Sequence, residues 1–197
     1  MKNQMILKCS ITGVISTASA NYGSVYSSAV LDDNAICPVS ESALSIAQDL
    51  DGYSIYEVAD WFLNKESMTH KKLQKLCYYA QAWGYALNNR RFIRTDFEAW
   101  VHGPVSPALY ERFKSYGYSP IIQKGKYCCR IKDHDVDFLE DIWETYGDKD
   151  GNALEALSHH ELPWQEARKG YAADESCSVV ISPEIMKRYY RSIYSGN

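Results

Sequence analysis

A chain of 197 residues, 46% hydrophobic and 23% charged, can enclose a core of its own, which excludes wholesale disorder and predicts one domain or one domain with an appended segment. Its net charge of −4 gives no support to a generic nucleic-acid binder, which carries a strong basic excess. No stretch approaches the roughly 18 apolar residues that a membrane span needs, so no membrane association is expected.

Residues 1–50 differ from the rest, being rich in Ser and poor in charge, and are set apart as an N-terminal extension to a domain spanning 51–197. Met5-Ile6-Leu7 and Ile11 to Ile15 fit short strands, Asn21 to Ser24 a turn, and Ser40 to Leu50 a short helix. Ala18-Ser19-Ala20 resembles a signal-peptidase site, but Lys8, Ser10, Thr12 and Gly13 interrupt the segment before it, so no signal peptide is expected.

From Tyr53 onward the pattern is helical. Ser54 and Glu57 have the spacing of a capping box, with Val58, Trp61 and Phe62 following at core spacing. Thr69 can cap a long helix on which Leu73, Leu76, Ala80, Trp83 and Leu87 share one face, with Lys71, Lys72 and Lys75 on or beside the opposite one. Phe92 to Val101 is mixed in pattern, and His102 to Pro107 combines a stop, a turn and a new helix start, with Ser106 as cap and Pro107 at the first helical position. Gly117 is placed to end that helix. The run from Pro120 to Ile131 reads as a hairpin about Lys124-Gly125-Lys126. Asp135 and Asn152 are expected caps of two further helices, Pro163 starts another, and Ser182-Pro183-Glu184 opens the last. The sum is a mainly α (α+β) fold, a compact bundle of about six helices with one small β-hairpin.

Charge is segregated along the chain. Phe62 to Thr95 holds seven Lys and Arg against the single acid Glu66, whereas Asp133 to Glu166 holds eleven Asp and Glu against the single base Lys149. Two oppositely charged faces would steer and orient a partner; solvated helix faces would have the same pattern. The 16 tyrosines suit either a protein-binding surface or a core with wet edges. Basic Lys71, Lys72, Lys75, Arg90, Arg91 and Arg94 lie close in sequence to Tyr78, Tyr79 and Phe92, a mixture able to hold single-stranded nucleic acid, although it sits inside an acidic protein.

No nucleophile elbow, phosphate-binding loop, dinucleotide fingerprint or HExxH motif is present, so no enzyme is expected. The six cysteines form no CxxC pair, which fits reduced thiols in the cytoplasm. Cys129 and His134 have tolerable zinc spacing, with His159 or His160 in reserve, but a second ligand pair is not visible and no metal or cofactor is expected. His159-His160 fits a helix C-terminal partner, and His102 fits a brace for the turn.

Lys72 to Trp83, KLQKLCYYAQAW, followed by Phe97 to Val105, FEAWVHGPV, resembles the two signature stretches of the Panacea domain of SocA-like antitoxins, a family related to phage-associated proteins. Glu161-Leu162-Pro163-Trp164 is similar to the family's later signature, an acid followed by Pro-Trp, with Leu162 intervening. The resemblance spans roughly Ile55 to Ile193. It implies a mostly helical antitoxin that neutralises a cognate toxin by direct binding, without catalysis and with a target that the family does not specify. A nucleic-acid-binding regulator and an adaptor delivering a toxin to a protease are the alternatives. Leu73, Leu76, Tyr79, Ala80 and Trp83 then read as core, while Lys71, Lys72, Gln74, Lys75, Tyr78, Trp100, His102, Gly103 and Pro104 are the candidates for the contact surface or its bracing.

Overall fold

The protein is organised around one helix that is enclosed on nearly every side. The computed structural model describes residues 52–122 and 130–194; the strands and helix expected in 1–50, and the turn of the hairpin expected between Pro120 and Ile131, lie outside the described residues. Helix α1 (Ile55–Leu63) begins with the full capping box of Ser54 and Glu57. Strand β1 (Met68–Thr69) leads into α2 (His70–Leu87), whose N-cap Thr69 accepts from the Lys72 N–H. Strands β2 (Glu98–Trp100) and β3 (Gly103–Val105) follow, then α3 (Pro107–Phe113) with a 3-10 turn at Lys114–Tyr116 and β4 (Pro120–Ile121). The remaining helices are α4 (Asp133–Tyr146), α5 (Gly151–His159), α6 (Leu162–Ala167) and α7 (Pro183–Ile193).

Seven α-helices with two small antiparallel sheets make the described residues mainly α. β2 and β3 form a hairpin with Ala99 opposite Pro104, and β1 pairs with β4 through Met68 and Ile121. On its other edge β2 is joined by the segment before α7: the Ala99 N–H donates to the Val179 carbonyl at 2.9 Å and the Ile181 N–H to the Phe97 carbonyl at 2.8 Å.

α2 packs against α1, α3, α4, α5, α7 and β3. Of the expected stripe, Leu73, Leu76, Ala80 and Trp83 are fully buried and Leu87 is half-buried, but the opposite face is enclosed too: every residue from Lys72 to Gly84 is buried. Tyr78, Tyr79, Tyr146 and Tyr190 are enclosed too, so much of the tyrosine excess fills the core. The nucleic-acid surface suggested by basic residues interleaved with Tyr78, Tyr79 and Phe92 is not formed, because all three rings are buried and present no face for a base to stack on.

Three caps differ from expectation. α4 starts two residues before Asp135, which lies buried in the first turn with its carboxylate paired to Arg90 rather than to helix N–H groups. α5 is capped by Asp150, whose carboxylate accepts from the Ala153 N–H at 2.8 Å, while Asn152 accepts from Lys71 instead. Ser106 occupies the cap position of α3 without a side-chain cap bond, its hydroxyl being paired with that of Thr95.

Candidate partner-binding site

The hairpin is locked to α2 by side chains that reach for backbone. Gln74 uses both ends of its amide on one residue, donating to the Ser106 carbonyl at 3.1 Å and accepting from the Ser106 N–H at 2.8 Å. The next residue, Lys75, 1% exposed, donates to the Pro104 carbonyl at 3.0 Å. Gly103 lies over this lysine at φ +91°, where a Cβ would stand 2.8 Å from Lys75 Cε and 2.9 Å from Ser158 Oγ; close approach and left-handed backbone both require glycine. Burial pushes the Lys75 amine down to about 7.

Gln74, Lys75, Tyr78, Gly103 and Pro104 are therefore enclosed, and the opposite helix face assigned to Lys72 and Lys75 is itself packed. Lys72, 8% exposed, pairs with Glu66 and donates to the Gly147 carbonyl at 2.7 Å. These residues brace the structure and leave Lys71, Trp100 and His102 as the reachable members of the nine.

Those three converge at the rim of the hairpin. The Glu155 carboxylate joins Lys71, at 2.5 Å, to His102 Nδ1, at 2.9 Å. Burial would raise the Glu155 carboxyl, but hydrogen bonds from Lys71 and His102 outweigh it and hold it below the usual range. The His102 side chain is 73% exposed. Trp100 is half-buried; its indole N–H donates to Glu98 at 2.7 Å and its ring meets Tyr110 edge-on at 4.9 Å. A cleft of about 370 Å³ opens between the Trp100–His102 turn and Ser176, Cys177 and Ser178.

The third motif stretch supports the same hairpin from behind. The Trp164 indole N–H donates to the Trp100 carbonyl at 3.0 Å, and buried Arg168 donates to the Ala99 carbonyl at 3.0 Å and to the carbonyls of Ala172 and Glu175. His159 stacks on Trp164 at 4.0 Å and desolvation by burial lowers its basicity, while His160 Nδ1 meets the Ala156 carbonyl in the last turn of α5 at 2.7 Å, as expected of a helix C-terminal partner. Glu161, 5% exposed, accepts from Tyr190 at 2.6 Å and from Tyr79 at 3.3 Å. Burial pushes its carboxyl up to about 7 against the lowering effect of those two bonds. Among the described residues no group of His, Cys, Asp and Glu is arranged to hold a metal ion, and no helix is long and apolar enough to cross a membrane.

The segments so joined are also those that known proteins share. Residues 73–165 match the family model described as antitoxin SocA-like, Panacea domain. That likeness covers a little under half of the chain. The chain is 26% identical over 163 residues to Antitoxin SocA of Caulobacter vibrioides (strain NA1000 / CB15N), covering 74% of this chain and 87% of that protein. No solved structure matches.

Within the matched segment, sequence reasoning finds the anchors Gln74, Lys75 and Gly103 without the groups they hold. Glu155, which joins Lys71 to His102, carries no local signal beyond membership of an acidic run. Arg168 lies just beyond the matched segment and has no acid to pair with; its partners are backbone carbonyls, which a sequence does not distinguish.

Proposed function

We propose that this chain is the antitoxin of a toxin–antitoxin pair, acting in the cytoplasm by direct binding of a cognate protein toxin and without catalysis. The observation that carries the reading is the match to Antitoxin SocA over 87% of that protein's length, together with the Panacea match that contains the hairpin lock. The geometry supports binding because the polar side chains Lys72, Gln74 and Lys75 of α2 are directed inward, which fixes the hairpin and leaves the Trp100–His102 turn as a projecting rim. A preset surface loses little conformational entropy when it meets a partner.

Co-expression with the adjacent gene tests the proposal. Growth arrested by that gene should be rescued, and the two proteins should co-purify; absence of both would sink it. Lys71→Gln combined with His102→Gln, changes that keep a hydrogen-bond donor for Glu155, should weaken co-purification while leaving thermal melting near that of the parent chain. Rescue with loss of the toxin protein, restored by deleting the host protease, would identify delivery to a protease in place of occlusion.

A further inference from the structure

Away from the hairpin, three segments enclose a small basic pocket: Gly52, Tyr53 and Glu57 on one side, Arg90 and Arg94 on another, and Arg130 and Lys132 on the third. Its frame is made by backbone. The Tyr53 N–H donates to the Phe92 carbonyl at 2.8 Å and the Arg94 N–H to the Tyr53 carbonyl at 2.7 Å. Gly52 sits at φ +79° because a Cβ there would stand 2.5 Å from the Arg91 carbonyl oxygen, so the chain can lie this close only as glycine.

The acids nearby are already engaged. Asp135 is held by Arg90 and by the Tyr53 hydroxyl at 2.7 Å, and Glu57 accepts from the Ser54 N–H at 2.9 Å within its capping box. Arg94 and Arg130 are exposed, and neither guanidinium has a hydrogen-bond or ion-pair partner among the described residues. Four cations against two committed carboxylates make a local positive site on a chain whose net charge is −4.

Size and lining restrict what can enter. The free volume is about 20 Å³, enough for one small polar group and too little for a nucleotide base. The lining offers no stacking platform, since Tyr53 packs its ring on Phe92 at 5.3 Å and its hydroxyl is used internally. Two unpaired guanidiniums beside a rigid backbone frame favour a planar oxyanion that can be gripped by two N–H groups at once.

We propose that this pocket receives the carboxylate of an acidic segment on a protein partner, gripped by Arg94 and Arg130. The proposal rests on the partner-binding reading only for the source of that segment. The pocket would give orientation and association rate to an encounter whose shape-complementary contact lies elsewhere.

Fluorescence anisotropy of a labelled oligoglutamate peptide titrated with the purified full chain tests it. Saturable binding is expected, weakening as salt rises from about 20 mM to about 200 mM because the pair is only partly screened by protein. Arg94→Glu with Arg130→Glu should weaken binding about tenfold, the sum of two surface-type pairs lost. Arg94→Gln with Arg130→Gln should fall between, and decides the matter if the Glu pair melts below the parent chain. Lys71→Glu, at the hairpin rim, should leave peptide binding unchanged. Absence of binding, or equal binding by the parent and the Gln pair, overturns the proposal; so does inorganic phosphate that binds more tightly than the peptide, which would mark a free-anion site. No toxin is present, so the outcome is independent of the rescue experiment.

Discussion

The two halves of α2 solve the problem of a buried helix in different ways. In the first half, Lys72, Gln74 and Lys75 carry polar groups into the interior and aim them at the carbonyls of Gly147, Ser106 and Pro104. In the second half, Tyr78, Tyr79 and Trp83 build an aromatic cluster with Tyr146 and Tyr190, in which Tyr79 stacks on Tyr146 at 3.8 Å and the Trp83 indole donates to the Tyr146 hydroxyl at 2.9 Å. The first arrangement fixes direction, because a hydrogen bond has one geometry. The second contributes most of the burial free energy, because apolar area does not depend on direction. A helix that must both anchor a core and hold a hairpin needs one half of each kind.

The comparison predicts that the aromatic half fails first when cut. Trp83→Ala removes a side chain that is fully buried against Tyr190, 5.1 Å between ring centres, and should cost about 4 kcal/mol in urea unfolding. A loss below about 1 kcal/mol would show that the cluster is not the anchor. Gln74→Leu fills similar volume but strands the N–H of buried Ser106, at about 1–3 kcal/mol, while the Ser106 carbonyl keeps the Tyr110 N–H. Amide exchange at Ser106 should quicken more than exchange in the aromatic half; equal acceleration in both would deny the hairpin lock its local character.

The smallest effect concerns pH and separates the halves by sign. Glu161, among the tyrosines, has its folded carboxyl raised from 4.5 to about 7. The folded state keeps a proton that the unfolded chain releases, so this group's contribution is fully present below 4.5 and is lost as pH rises to about 7. Lys75, under the hairpin, has its amine lowered from 10.5 to about 7, so its contribution is present above 10.5 and is lost as pH falls towards about 7. Unfolding midpoints should dip near neutrality. Glu161→Gln should flatten the acid limb alone and Lys75→Met the alkaline limb alone; a limb that survives its own substitution belongs to other groups.

Local grammar was legible in the sequence. The Ser54–Glu57 capping box, the Thr69 and Ser182 caps and the apolar stripe of α2 all depend on neighbours within a turn, and they form as expected. Asp135 and Asn152 failed as caps for one reason: each side chain found a cation brought from elsewhere in the chain, Arg90 and Lys71 respectively. The segregated charge had the same fate. Lys65–Glu140, Lys71–Glu155 and Arg90–Asp135 join the basic stretch to the acidic one inside the molecule, so much of what looked like two faces for a partner is one internal seam.

The candidate residues divide along the same line. Periodicity assigned Lys72 and Lys75 to an outer face because a sequence pattern detects one apolar stripe and has no means of seeing a second wall. Tertiary structure supplied that wall, in β3 and the C-terminal end of α4, and its carbonyls made burial of an amine tolerable. The sequence by itself determined the helical segments, the starts at Ser54, Thr69 and Ser182, and the Panacea resemblance, since these are written in spacing and residue type. Only the fold decided which charges face water, because that depends on which backbone groups arrive from residues 29 and 75 positions away.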